Sequence, residues 1–294
     1  MSLVVAGQDA TFNLAADIAE LWRYPFMRHA LVGGTAVAVM GALVGWFVVL
    51  RQEAYAAHSL AMVAFPGATA AVYLGIAPLI GYFGFAVAGA GAVAAVAPGP
   101  GTGSYRGHSA AVGTVQASAL AVGLLLASRY EGFLANVTSF LFGSFLGISA
   151  TEATALVIVA VGTVAVLAAL GRPLLFASVD PAVARGAGVP VRALSVAFLV
   201  LVAVAVATTS QFTGVLLVFS LLVTPPAVAQ ALTTRPAMSL ALSAVVGVVV
   251  VWVGLAAAFY TDRPAGFWIT TIGFGLYVAV RTGRVATAHR WHRR

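Results

Sequence analysis

The sequence predicts an all-α, polytopic membrane protein: a helical bundle of about nine transmembrane spans with one further short helix on its outer side. Three observations lead there. Of 294 residues, 62% are hydrophobic and only 8% are charged, with a mean hydropathy of +1.04; an average soluble chain carries about 25% charged residues. The apolar residues come in runs of roughly 20, the length that crosses a bilayer as a helix. Arginines occupy the gaps between those runs, where positive charge marks the cytoplasmic side and anionic lipid.

The same composition excludes several functions. With no cysteine there is neither a disulfide nor a thiolate metal site. All 15 basic residues are arginine, and without a lysine there is no phosphate-binding Walker loop. Gly99-Pro100-Gly101-Thr102-Gly103-Ser104 is therefore a flexible loop, and any ATP that drives this protein binds another subunit. The net charge of +7 is scattered between apolar runs, so nucleic acid is not an expected partner. Residues 1–24 lack the pattern of a signal peptide. Asp9, Asp17, Glu20, Trp22, Arg23 and Tyr24 suggest instead an N-terminal segment lying along the interface.

Taken in order, the expected spans are 26–50, 57–76, 77–97, 109–128, 150–170, 193–209, 211–232, 237–260 and 266–281, within a transmembrane domain of 25–281. Residues 132–147 are apolar but short, with Asn136, Gly143 and Gly147, and are expected as a partly inserted outer helix. Residues 282–294 form a basic cytoplasmic tail that anchors to lipid. With the N-terminus outside and the C-terminus cytoplasmic, 11 arginines fall inside and four (Arg23, Arg28, Arg129, Arg263) outside, in keeping with the positive-inside rule.

Two stretches carry possible chemistry. His58 and Met62 stand four residues apart in the second span, on one helix face. A histidine within a membrane span is a functional-site hypothesis by default, and imidazole and thioether are both metal ligands. The plain alternative is a core histidine bonded to a carbonyl, with Met62 as packing. Phe65-Pro66-Gly67 is expected to loosen this helix one turn later. The second stretch follows Gly171-Arg172-Pro173, expected to end a span. Asp180 suits an N-cap, Pro181 the first helical position, and Gly186 or Gly188 the end. This capped helix outside the bilayer has the shape of a rigid knob for a partner's groove. Farther on, Gly214 to Ala229 reads as a span broken at Pro225 and Pro226, with Thr224 beside them; transporters place substrate paths in broken spans, although packed kinks look the same.

These residues resemble the permease subunits of the zinc/manganese/iron-uptake family of bacterial ATP-binding-cassette importers. The likeness runs from about Tyr24 to Arg281. It is carried by Tyr24-Pro25-Phe26-Met27-Arg28-His29-Ala30-Leu31, by Val48-Val49-Leu50-Arg51 through Phe65-Pro66-Gly67, by Arg172 through Val189, and by Gly214 through Ala227. The resemblance implies a homodimer of the type II-like importer architecture in the bacterial cytoplasmic (inner) membrane. It further implies two separate ATPase subunits inside and a metal-binding solute receptor outside or in the periplasm. The helix at about 180–188 would be the coupling helix, with Asp180, Pro181, Arg185 and Gly188 meeting the ATPase, and the second span would line the metal path. Many members have an Asp and a His where this chain has His58 and Met62. Replacing oxygen by imidazole nitrogen, and imidazole by thioether, favours Zn(II) over Mn(II) as the transported ion, since oxygen-rich sites suit manganese. No cofactor is expected on this chain itself.

His29, near the outer end of the first span, is a weaker candidate for meeting an arriving ion. Glu53 and Gln116 are expected to support His58 by hydrogen bonds, and Thr224 and Pro225 to line the path. His108 is a candidate exit contact, and His289 and His292 belong to the solvated tail. Two competing functions are a Mn(II)/Fe(II) permease of the same family and an ion-coupled secondary carrier. The carrier would need buried carboxylates to carry protons, and only Glu53, Glu131 and Glu152 lie near spans, all at span ends.

Overall fold

A computed structural model of the chain describes residues 21–96, 105–127, 147–214, 218–261 and 263–291, and every regular element among them is an α-helix. In chain order these are α1 (Pro25–Leu50), α2 (Ala54–Tyr73), α3 (Pro78–Val96), α4 (Tyr105–Ala127) and α5 (Ala150–Val179). Then come α6 (Pro181–Gly186), α7 (Val191–Thr213), α8 (Val218–Leu232), α9 (Pro236–Thr261) and α10 (Ala265–Trp291). Lipid offers backbone groups no hydrogen-bond partner, so an apolar run closes its own bonds as a helix. Eight of the nine expected spans fall on one of these helices, whereas the run expected at 211–232 starts on the end of α7 and continues, past Gly214, on α8. Six of them (α1, α3, α4, α5, α7 and α9) are long and apolar enough to cross a membrane. For α2, α8 and α10 the crossing rests on the sequence alone: α8 has only 15 residues, about 22 Å of helix.

At the centre stands α1, packed against α5, α7, α8 and α9. Its buried side chains join two apolar cores. One gathers Met40, Val44 and Phe47 with residues of α2, α3 and α7, such as Leu60, Tyr82 and Phe198. The other gathers Met27, Leu31 and Val37 with Val251 and Leu255 of α9 and Ile269 of α10. Between lipid-solvated helices hydrophobicity gives no net drive, so contact depends on van der Waals fit between small residues and on interhelical hydrogen bonds. Gly45 of α1 lies against the Leu222 carbonyl of α8, and Gly67 of α2 faces Gly81 of α3 with no space for a Cβ on either. Hydrogen bonds stitch the same seams. Trp46 Nε1 donates to Ser239 Oγ at 2.8 Å, and Gln230 Nε2 donates to the Trp46 carbonyl at 2.8 Å. Farther along, Ser243 Oγ donates to the Ala42 carbonyl, and Trp252 Nε1 to Thr35 Oγ1.

Three proline expectations are corrected. α2 runs unbroken through Pro66, α5 through Pro173 to Val179, and α8 through Pro225 and Pro226. Pro66 is buried beside Gly123 of α4, and Pro225 and Pro226 are buried in α8. Packing on both sides holds these helices where an isolated one would break. The interruption on the α8 side comes earlier, at Gly214, whose φ of +79° ends α7. With 30 residues, α5 is about 45 Å long, so it extends beyond a hydrocarbon core of about 30 Å. α10 likewise continues helically past residue 282, the expected start of the tail, to Trp291. The expected outer helix at 132–147, the loop at 99–104 and most of the segment 1–24 lie outside the described residues.

A methyl at Gly45 has to displace backbone, whereas Gly91 of α3 faces open space. Gly45→Ala is expected to destabilise the purified protein by about 1–3 kcal/mol. Gly91→Ala should leave melting unchanged or raise it, which thermal denaturation in detergent will check.

Candidate functional site

The first turns of α2 bring the candidate ligands together with neighbouring helices. His58 stands four residues into α2, about 6 Å along its axis, and is half-buried. Its ring meets Phe219 of α8 edge to face, with centroids 5.9 Å apart and planes at 87°. Phe219 is 40% exposed, so this edge opens to the surroundings on the α8 side. Met62, one turn on, is half-buried and packs against the first apolar core. Among the described residues no group of three or more His, Asp or Glu side chains is placed to hold a metal ion.

Neither polar residue expected beside His58 bonds to it. Gln116 of α4 accepts a hydrogen bond from Ser59 Oγ at 2.7 Å, so it latches α2 to α4 from the residue next to His58. Glu53 instead pairs with Arg51: Nε donates to Oε1 at 3.0 Å, and Nη2 stands 3.0 Å from the same oxygen. The other carboxylate oxygen, Oε2, is buried without a hydrogen-bond partner.

Arg51 gathers more than Glu53. Its Nη1 donates to Ser178 Oγ at 3.2 Å, its Nη2 donates to Ser195 Oγ at 2.9 Å, and its guanidinium lies 5.1 Å from the centroid of the Phe198 ring. The side chain is only 9% exposed. α1 ends here in a tight reversal: the Gln52 N–H bonds to the Val49 carbonyl and the Glu53 N–H to the Val48 carbonyl. Gln52 takes a φ of +58°, a left-handed conformation that costs a non-glycine residue about 1–2 kcal/mol. The sequence signal for this cluster was the pair Arg51 and Glu53 between two apolar runs. Its partners 127 and 144 positions away carried no signal.

The capped helix α6 forms where the sequence put it. Asp180 Oδ1 accepts from the Ala182 and Val183 N–H groups, both at 3.0 Å. At the other end Gly188, with φ +81°, closes a Schellman turn: its N–H bonds to the Arg185 carbonyl, and the Val189 N–H bonds to the Ala184 carbonyl. Ala184 is buried with Ala177, Val191 and Leu194, which seats the helix on α5 and α7. Arg185 is exposed, its Nε donating to the Pro181 carbonyl at 3.0 Å. Val183 and, just before the helix, Val179 are 56% and 70% exposed, so the helix presents an apolar tip; Arg172, Arg185 and Arg192 on this part of the chain are exposed as well.

The remaining candidates stand apart. His29 is half-buried in the first turn of α1, at the end of that helix remote from Arg51. Thr224 lies against Gly273 of α10 rather than toward α2, and Pro225 is buried. The side chains of His108, His289 and His292 lie outside the described residues.

Comparison with known proteins adds a family, two relatives and two solved structures. A family model described as the ABC 3 transport family matches residues 23–283. The chain is 27% identical over 265 residues to "Manganese transport system membrane protein MntC" of Halalkalibacterium halodurans, covering 90% of this chain and 89% of that one. It is 30% identical over 255 residues to "Chelated iron transport system membrane protein YfeD" of Yersinia pestis, covering 87% and 84% respectively. Its fold matches the structure titled "PsaBC from Streptococcus pneumoniae in complex with Fab" with a TM-score of 0.78 at 23% identity, over 90% of this chain and 94% of that chain. A structure titled as an inward-facing conformation of a putative metal-chelate type ABC transporter matches with a TM-score of 0.70 at 16% identity.

Removing either cap should loosen α6 alone. Asp180→Ala is expected to cost about 1 kcal/mol of local stability and to speed exchange of the Ala182 and Val183 amides severalfold. Gly188→Ala should do the same at the Ala184–Val189 closure. Arg185→Ala should leave these amides unchanged, all three effects being read by hydrogen–deuterium exchange.

Proposed function

Because this chain belongs to the ABC 3 transport family, we propose that it is the permease subunit of an ATP-driven importer that carries a divalent transition metal, Zn(II) first among them, into the cytoplasm. It is a membrane transport subunit and not an enzyme; ATP is hydrolysed by a separate ATPase subunit. The observation that carries the reading is the half-buried His58 on α2, set edge-on to Phe219 of α8 with Met62 one turn away. An imidazole and a thioether form a weak, soft-leaning stopping point, and that donor pair suits zinc better than manganese. A second reading, Mn(II) or Fe(II) as cargo, is supported equally by the names of the relatives, which specify manganese and chelated iron.

The partners follow from the same reading. α6, with Asp180, Pro181, Arg185 and Gly188, docks into the ATPase through its exposed Val183 tip. A second copy completes the permease, and a metal-binding receptor delivers the ion near His29. The protein resides in the bacterial inner membrane with the α6 end and the C-terminus cytoplasmic, a reading supported by the distribution of arginine. A secondary carrier is disfavoured by its carboxylates. Glu53 is held by Arg51, and Glu152 closes a capping box with Ser149 at the start of α5. Neither stands free to shuttle protons.

Uptake of labelled zinc, manganese and iron by cells co-expressing the ATPase tests the reading. Zinc should accumulate after an ionophore has collapsed the ion gradients, and accumulation should stop when ATP is depleted. His58→Ala should reduce zinc uptake at least severalfold. Undiminished uptake in this variant would remove His58 from the path. Uptake of manganese or iron without zinc would select the second reading, and uptake abolished by the ionophore alone would restore the carrier.

A further inference from the structure

We propose that Arg51 is the positioning residue that carries a displacement of α6 into α2, and so to His58; the proposal rests on the importer reading above. Ser178 lies two residues before Asp180, at the end of the helix that leads into α6. Ser195 lies on the first turns of α7, the helix that leads out of it. One guanidinium bonds both hydroxyls. It therefore holds the two flanks of α6 together and ties them to a single point of the α1–α2 corner. Its third partner, Glu53, is the residue immediately before α2. From Glu53 to His58 there is little more than one continuous helical turn, so a shift of the corner moves the histidine with it.

Two further features would let this corner take a second arrangement. The Glu53 Oε2 is buried and unpartnered, and a carboxylate can accept a guanidinium through both oxygens. If α6 moves and draws Ser178 and Ser195 away, the released N–H groups have that empty oxygen to turn to. Gln52, held at φ +58° between Arg51 and Glu53, stores backbone strain of the kind that persists only where its surroundings enforce it. Arginine rather than lysine is required, because a planar fork with five donors can hold three partners in fixed directions while a single ammonium cannot.

The test uses the complex of this chain with its ATPase in liposomes, comparing wild type with Ser178→Ala/Ser195→Ala, Arg51→Met and Arg51→Lys. Zinc or manganese ions moved per ATP hydrolysed are measured, together with hydrogen exchange of the first two turns of α2 with and without the docked ATPase. The serine pair should retain assembly, melting temperature and ATP hydrolysis, yet lose about tenfold in ions per ATP, a coupling of ordinary size. Docking should change exchange in α2 of wild type and not of the serine pair. Arg51→Met should show the larger loss, with partial recovery in Arg51→Lys. An unchanged ratio together with an unchanged exchange response in the serine pair overturns the proposal, whether or not Arg51→Met assembles. If wild type moves neither metal, the cargo reading fails while the exchange response still decides the role of Arg51.

Discussion

A guanidinium cannot be left unsatisfied at the edge of a lipid-solvated bundle, and Arg51 is satisfied only by residues from three separate parts of the chain. Its charge is met by Glu53, its remaining donors by Ser178 and Ser195, and one face by the Phe198 ring. Burying a charge pair gains little by itself, but removing one member leaves an uncompensated charge that costs several kcal/mol. The geometry of this corner is therefore specified more tightly than any apolar contact could achieve. It sets where α1 stops, where α2 begins, and how close the ends of α5 and α7 come to each other. His58 and the knob formed by α6 take their places from it.

Elsewhere the bundle is held by closeness instead of charge. Gly45 admits the Leu222 carbonyl, Gly67 and Gly81 allow α2 and α3 to touch, and Gly123 receives Pro66. Such contacts bring backbones near enough for dispersion to accumulate where the hydrophobic effect has vanished. They also explain why α2 stays helical through Pro66. The helix is clasped by α3 on one side and α4 on the other, with Ser59 and Gln116 adding a polar latch. α2 is consequently a stiff rod pinned at its Arg51 end, a suitable element for carrying one histidine along a path.

Much of this was legible in the sequence because lipid imposes simple rules. Runs of about 20 apolar residues have to become helices, and eight of the nine expected spans coincide with one, the run at 211–232 being divided by Gly214 between α7 and α8. α6 was legible from end to end, since Asp180, Pro181 and Gly188 each fill a backbone role that few other residues can fill. The prolines misled because their effect on a helix depends on neighbours that local sequence does not reveal. For the same reason Gln116 was paired with the wrong residue: its partner is Ser59, beside the expected His58. Arg51 and Glu53 were conspicuous as charges between apolar runs, yet the serines that complete their cluster look like any other small polar residue. The choice of metal was the least legible feature. His58 and Met62 point to zinc by donor chemistry, while the named relatives carry manganese and chelated iron.

If the edge between α2 and α8 at His58 lies on a path opened and closed by the ATPase, its accessibility changes with the nucleotide state. The chain has no cysteine, so a single thiol introduced by His58→Cys reports on that edge without background. Its labelling by a membrane-impermeant reagent should be measured in the assembled complex, with and without nucleotide, next to Leu167→Cys in the apolar core. Position 58 should react in one nucleotide state and be protected in the other, while position 167 stays unreactive in both. Equal reactivity at position 58 in every state, or none at all, would contradict it.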